Sequence, residues 1–167
     1  MKKLIFSIFL IFATSQIIYA QDLSNWVSGL SLNENAQYQL VDKAMLEATL
    51  AAAKASDSSG MIPTNTPPFM EKLESIDVIN LTECSAEIKK LFLKDLEEIK
   101  DENGYETLVN VVDGADKVRI IARKEGTVIP QIFVFAIDME NLEIVIVRMT
   151  GRMNESDIAD VIKQQQQ

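Results

Sequence analysis

Apolar and polar positions alternate with two different periods along the chain, and the changes of period divide it into elements. The chain opens on a run without period. Lys2-Lys3 precede the apolar stretch from Leu4 to Ala13, and weaker apolar sequence continues to Ala20. A positive start, a short apolar stretch and a small residue before Gln21 read as an export signal over residues 1–20. Ile18 is bulky for the third position before such a cut, which leaves the cleavage site open. The strong apolar run falls short of the ~20 residues that span a bilayer. The expected mature chain therefore has no membrane span, and no Cys follows the signal to carry a lipid.

Residues 21–35 are polar with scattered apolar side chains, and read as a lead-in in which Trp26, Val27 and Leu30 dock loosely. Residues 36–55 contain an Ala-rich stretch of good helix formers, with Val41, Met45, Ala48 and Ala52 at helical spacing. The stretch before it, Ala36–Val41, reads either as the first helical turns or as a strand ending at Asp42 as N-cap. Residues 56–70 hold Pro63, Pro67 and Pro68 among Ser, Asp, Asn and Gly, and predict a mobile surface loop.

From residue 71 the periods sharpen. Leu73–Leu81 alternates as a strand. Thr82 or Ser85 can cap the next helix, whose stripe is Ile88, Leu91, Phe92, Leu96 and Ile99. Asn103-Gly104 supplies a left-handed stop, so this helix is expected over 85–102. Strands follow at Glu106–Val112, Lys117–Arg123, Thr127–Ile137 and Leu142–Met149. Connections this short force antiparallel pairing. Asn154 caps a last helix to about Lys163, and Gln164–Gln167 is a frayed, disordered tail. The fold class is α+β: a mostly antiparallel sheet of four to six strands packed against one main helix, with further N-terminal and C-terminal helices. Residues 36–163 form one domain. The strands at 131–137 and 142–149 are apolar on both sides, so both their faces need cover.

The order and spacing of these stretches resemble a known family. They are Leu73–Leu81, Ala86-Glu-Ile-Lys-Lys-Leu-Phe92, Tyr105–Gly114, Val118–Gly126, Gln131–Asp138 and Met149–Ile158. Together they are similar to domain-of-unknown-function family 4252, small exported bacterial proteins. The resemblance implies a strand entering a helix near Val41–Met45. It carries over no catalytic residue.

Composition narrows the chemistry. The 167 residues carry 16 Lys+Arg against 25 Asp+Glu, a net charge of −9, and removing Lys2 and Lys3 makes the balance more acidic. Such a field repels nucleic acid, which is not an expected partner. There is no His and one Cys. Ser-His-Asp and Cys-His pairs are therefore excluded, as is an intramolecular disulfide. Cys84 sits at a strand-to-helix junction and reads as a small packed residue. The acids Asp95, Glu97, Glu98, Asp101 and Glu102, and Asp138, Glu140 and Glu143, lack calcium-loop spacing and read as solvated faces. No metal, no cofactor and no catalytic residue is expected. Lys117, Arg119 and Arg123 share one side of a strand. With Arg148 and Arg152 they form the candidate interaction surface, suited to a carboxylate, a phosphate or an acidic partner; edge protection of the sheet is the plainer role.

The expected function is that of an exported, non-enzymatic interaction or accessory protein of the bacterial cell envelope. Periplasmic location is expected ahead of secretion, with an envelope protein or a second copy as partner. The alternative is a small-ligand carrier or sensor with an apolar pocket on the sheet.

Overall fold

The computed structural model describes residues 22–56 and 68–158. The expected export signal, most of the predicted loop, and the end of the predicted last helix with its tail lie outside the described residues. In chain order the elements are α1 (Leu23–Leu30), β1 (Gln37–Asp42), α2 (Lys43–Ser56), α3 (Pro68–Glu71), β2 (Leu73–Asn80) and α4 (Ala86–Glu98). They are followed by β3 (Tyr105–Asp113), β4 (Asp116–Glu125), β5 (Val128–Asp138) and β6 (Glu143–Met153). A helical turn covers 155–158.

The fold is α+β. Its six strands form one sheet in the order β1-β2-β6-β5-β4-β3, with every neighbouring pair antiparallel. The last four strands are a meander, as their short connections require. The β1–α2–β2 segment then extends the sheet beyond β6. Of the two options at Ala36–Val41, the strand forms. Asp42 ends it and caps α2, its carboxylate accepting a hydrogen bond from Met45 N at 2.9 Å.

One face of the sheet carries α1 and α4. Leu23, Val27 and Leu30 meet Phe92 and Leu96 over Ile121, Phe133, Phe135, Ile144 and Ile146, all buried. Trp26 stacks on Phe92 with ring centroids 5.6 Å apart. Residues 23–30 are thus part of the core rather than a loosely docked lead-in. The reason is the spacing of Leu23, Val27 and Leu30, which puts all three on one helical side. Burying a side chain of this size contributes about 1.5–3 kcal/mol.

The α4 stripe is narrower than expected. Ile88, Phe92 and Leu96 turn inward, whereas Leu91 is 58% exposed. The helix also ends at Glu98, short of the expected 102, and Asn103 and Gly104 instead form a left-handed turn (φ 55° and 85°) leading into β3. In α2, Met45 points outward and Leu46 packs on the sheet. That face is set by where Asp42 starts the helix.

β6 runs past the expected Met149 to Met153 through a bulge opposite β5. Gly151 sits in it, against the Lys72 carbonyl. A Cβ there would lie 2.2 Å from that oxygen. The same carbonyl accepts a hydrogen bond from Arg152 N at 3.0 Å.

Candidate functional site

Four of the five cations singled out from the sequence lie on the helix-bearing face, and each engages a helix or its end. The Arg119 guanidinium donates to the carbonyls of Leu96 at 2.6 Å and Ile99 at 2.8 Å, and to Thr107 Oγ1 at 3.1 Å. These are orphan carbonyls of the α4 C-terminus, the negative end of its dipole. Burial lowers the Arg119 pKa from its ordinary value, and Arg119 Nε is buried with no partner. Lys117 lies 3.6 Å from Glu97 on α4. Arg123 reaches Asp22 at 3.8 Å and Glu125 at 3.0 Å.

Arg148 pairs with Asp77 at 2.9 Å, and both side chains are largely buried. It also donates to Ser24 Oγ at 3.1 Å and Ser28 Oγ at 2.8 Å on α1. The Tyr38 hydroxyl donates to the second Asp77 oxygen at 2.5 Å. That bond is the first cause of the raised Tyr38 pKa. Arg152 stands apart, exposed at the β6 bulge. The cations therefore fasten α1 and α4 to the sheet rather than forming one open patch.

Asp22 is the other fastening. It caps α1, accepting from Ser24 N at 3.2 Å, and accepts a close hydrogen bond from the Tyr105 hydroxyl. That hydroxyl is the main reason the Asp22 carboxyl titrates below its ordinary range. Burial first, and Asp22 next, push the Tyr105 pKa up to about 12.

Cys84 is 6% exposed, and burial pushes its thiol pKa up. A buried thiol of raised pKa is a poor nucleophile. The acids of the α4 end are spread over local partners: Asp101 accepts from Thr107, Glu97 meets Lys117, and Glu98 meets Lys94. Among the described residues no group of three Asp, Glu or Cys side chains could hold a metal ion.

The opposite face is different. Register places its side chains in rows across the strands. One row reads Val111, Val118, Ala136, Val145. The next reads Val109, Ile120, Val134, Val147, Val78. A third holds Ala122, Ile132, Met149 and Ile76. Leu46 of α2, Phe69 of α3 and Ile158 pack near this third row. Ile120 and Val134 of the second row pack against the same cluster. In the first two rows Val78, Val118, Val134, Val145 and Val147 are only partly buried, and Val111 is 52% exposed.

The first row is bordered by acids. Asp113 faces Asp116, Asp116 faces Asp138, and Asp138 faces Glu143, one carboxylate on each of four strands. The sequence marked Asp138 and Glu143 only as hairpin acids, since the row exists only once the register is known. Its trace in the sequence is a pair of acids flanking each of two hairpin turns. Two depressions of about 270 Å³ each lie elsewhere, one at Lys43, Leu46, Leu50, Met70 and Leu73, the other between α1 and α4. Neither is lined by β5 or β6, and both fall below the ~300–1,000 Å³ usual for small-molecule sites.

A six-stranded antiparallel α+β domain with one face clothed by helices and one face partly bare is the class that this geometry defines. The family described as Domain of unknown function (DUF4252) matches residues 31–161, and the chain belongs to it. No curated protein and no solved structure matches the chain. No helix of the described residues is long and apolar enough to cross a membrane.

Proposed function

We propose that the chain acts as an exported, non-enzymatic interaction or accessory protein of the bacterial cell envelope, in the periplasm ahead of the medium. The observation that carries the interaction role is the apolar sheet face on which Val118, Val134, Val145 and Val147 are only partly buried and Val111 is exposed. Antiparallel sheets commonly turn one face to water, but that face is then polar. Here it is β-branched, and such surfaces mark contact sites. The buried Cys84 and the local pairing of the α4 acids support a role without catalysis. The positive start and apolar stretch of residues 1–20, read as an export signal, support the location. The carrier reading draws on the depression between α2 and β2, whose size favours it less.

The test is crosslinking in cells, with capture of the chain and of a Val118→Thr, Val134→Thr, Val147→Thr variant, together with fractionation and an intact mass. The expected result is a shortened chain in the periplasm with one partner that the variant loses. Retention of residues 1–20 in the cytoplasm, or equal capture by the variant, would overturn the corresponding half of the proposal.

A further inference from the structure

The geometry points to the kind of partner that this face takes: an apolar protein segment with Lys or Arg at one end, seated on the valine rows with its cations over Asp113, Asp116, Asp138 and Glu143. The inference rests on the interaction reading above and adds the partner's charge and orientation. Three consecutive cross-strand pairs in this row are like-charged. Such pairs destabilise a free sheet, and cations supplied from outside relieve the repulsion. Asp138 stays ionised at neutral pH: the Asn141 side-chain amide, at 2.7 Å, and the Asn141 backbone hold its carboxyl below the ordinary range.

The row spans three strand spacings, about 14 Å. Among the described residues no set of carboxylates converges tightly enough for one metal ion. Spaced charges of this kind suit several side-chain cations. Lys124 of β4 is already paired, with Glu106 at 2.6 Å and Glu155 at 2.9 Å. An anionic lipid surface or a fatty-acid carboxylate would be repelled by the row. A second copy would bring another chain of net charge −9. Charge complementarity therefore selects a cationic protein segment.

Two designed amphipathic helical peptides with the same leucine stripe test this, one ending in lysines and one in glutamates, by fluorescence anisotropy against the full chain. The lysine peptide should bind, weaken with salt, and lose affinity roughly tenfold when Asp113→Asn, Asp116→Asn and Glu143→Gln are combined. Asp138 is kept because it holds its turn. Replacing the same three positions by Lys should transfer the preference to the glutamate peptide, an outcome that misfolding cannot imitate. Val118→Thr with Val147→Thr should weaken both peptides. Equal binding of the two peptides, unaffected by the charge variants, overturns this inference and leaves the interaction reading standing. So does dimerisation through the same valines, or flotation with phosphatidylglycerol vesicles. Absence of binding by either peptide also overturns it, while cellular capture that depends on the valines would still uphold the interaction role.

Discussion

Replacing Arg119 by Met tests whether the buried cations hold the helices. Its guanidinium reaches two α4 carbonyls at 2.6 and 2.8 Å. A hydrogen bond from a charged donor contributes about 1.5–3 kcal/mol, so at the low end the two together contribute about 3 kcal/mol. The guanidinium is itself partly desolvated, and its Nε is buried without a partner. Removing that group relieves about 1 kcal/mol. Met fills most of the vacated volume, so the cavity contribution stays small. The expected loss is about 2 kcal/mol, which at a urea m-value of about 2 kcal/mol/M lowers the unfolding midpoint by about 1 M. Arg119→Lys retains the charge but places a single ammonium where a fork bridges Leu96, Ile99 and Thr107, so about half the loss should remain. Amide exchange should quicken at the α4 C-terminus and not in α1. A Met variant within about 0.5 kcal/mol of the parent would refute the reasoning. So would a Lys variant indistinguishable from it, because bidentate geometry would then not matter.

Other perturbations separate the remaining parts of the fold. Asp77→Ala leaves Arg148 buried without its carboxylate, and should cost about 3–5 kcal/mol in urea unfolding. The double variant with Arg148→Met should cost clearly less than the sum of the two singles. Tyr105 has a folded pKa raised to about 12 against about 10 in the unfolded chain. Its neutral form therefore adds stability that is fully present below pH 10 and is lost between pH 10 and 12. Unfolding midpoints across that range should fall less steeply for Tyr105→Phe. Gly151→Ala drives a methyl against the Lys72 carbonyl and should cost about 1–3 kcal/mol, read as a lowered midpoint; an unchanged midpoint would show that the β6 bulge yields freely. Cys84 should react with a thiol reagent at neutral pH only as fast as the chain unfolds, and prompt labelling of the native chain would contradict its burial.

The sheet was legible because alternation and short connections leave few topologies. The strand ends at Asp113-Gly114 and Glu125-Gly126 could be placed by turn chemistry alone. The ends of α4 and β6 could not. α4 stops where Arg119 takes its carbonyls, and Arg119 lies on a strand 20 residues beyond Ile99. β6 continues because Gly151 admits the Lys72 backbone, and nothing local in Thr-Gly-Arg announces that approach. The α1 helix was readable from Asp22 and the spacing of Leu23, Val27 and Leu30, but its polar surroundings masked the signal. Its Ser24 and Ser28, which look like solvent-facing residues, receive Arg148.

The five cations show the same division between what a strand reveals and what a sheet decides. Alternation places Lys117, Arg119 and Arg123 on one side of β4. Only the position of α1 and α4 over that side turns them inward, where a cation meets a helix end or a carboxylate. The acids behave in the opposite way. Asp113 and Asp116 flank one turn, Asp138 and Glu143 another, and each pair alone is an ordinary hairpin end. Register joins the two pairs into a single row, because β4 and β5 align Asp116 with Asp138. A one-residue slip of that register would send half of the row to the other face, and it would carry Val134 and Ala136 of β5 with it. The pairing that exposes the apolar rows is therefore the same pairing that lines up the carboxylates. The carboxylates and the apolar rows thus share one side of this sheet.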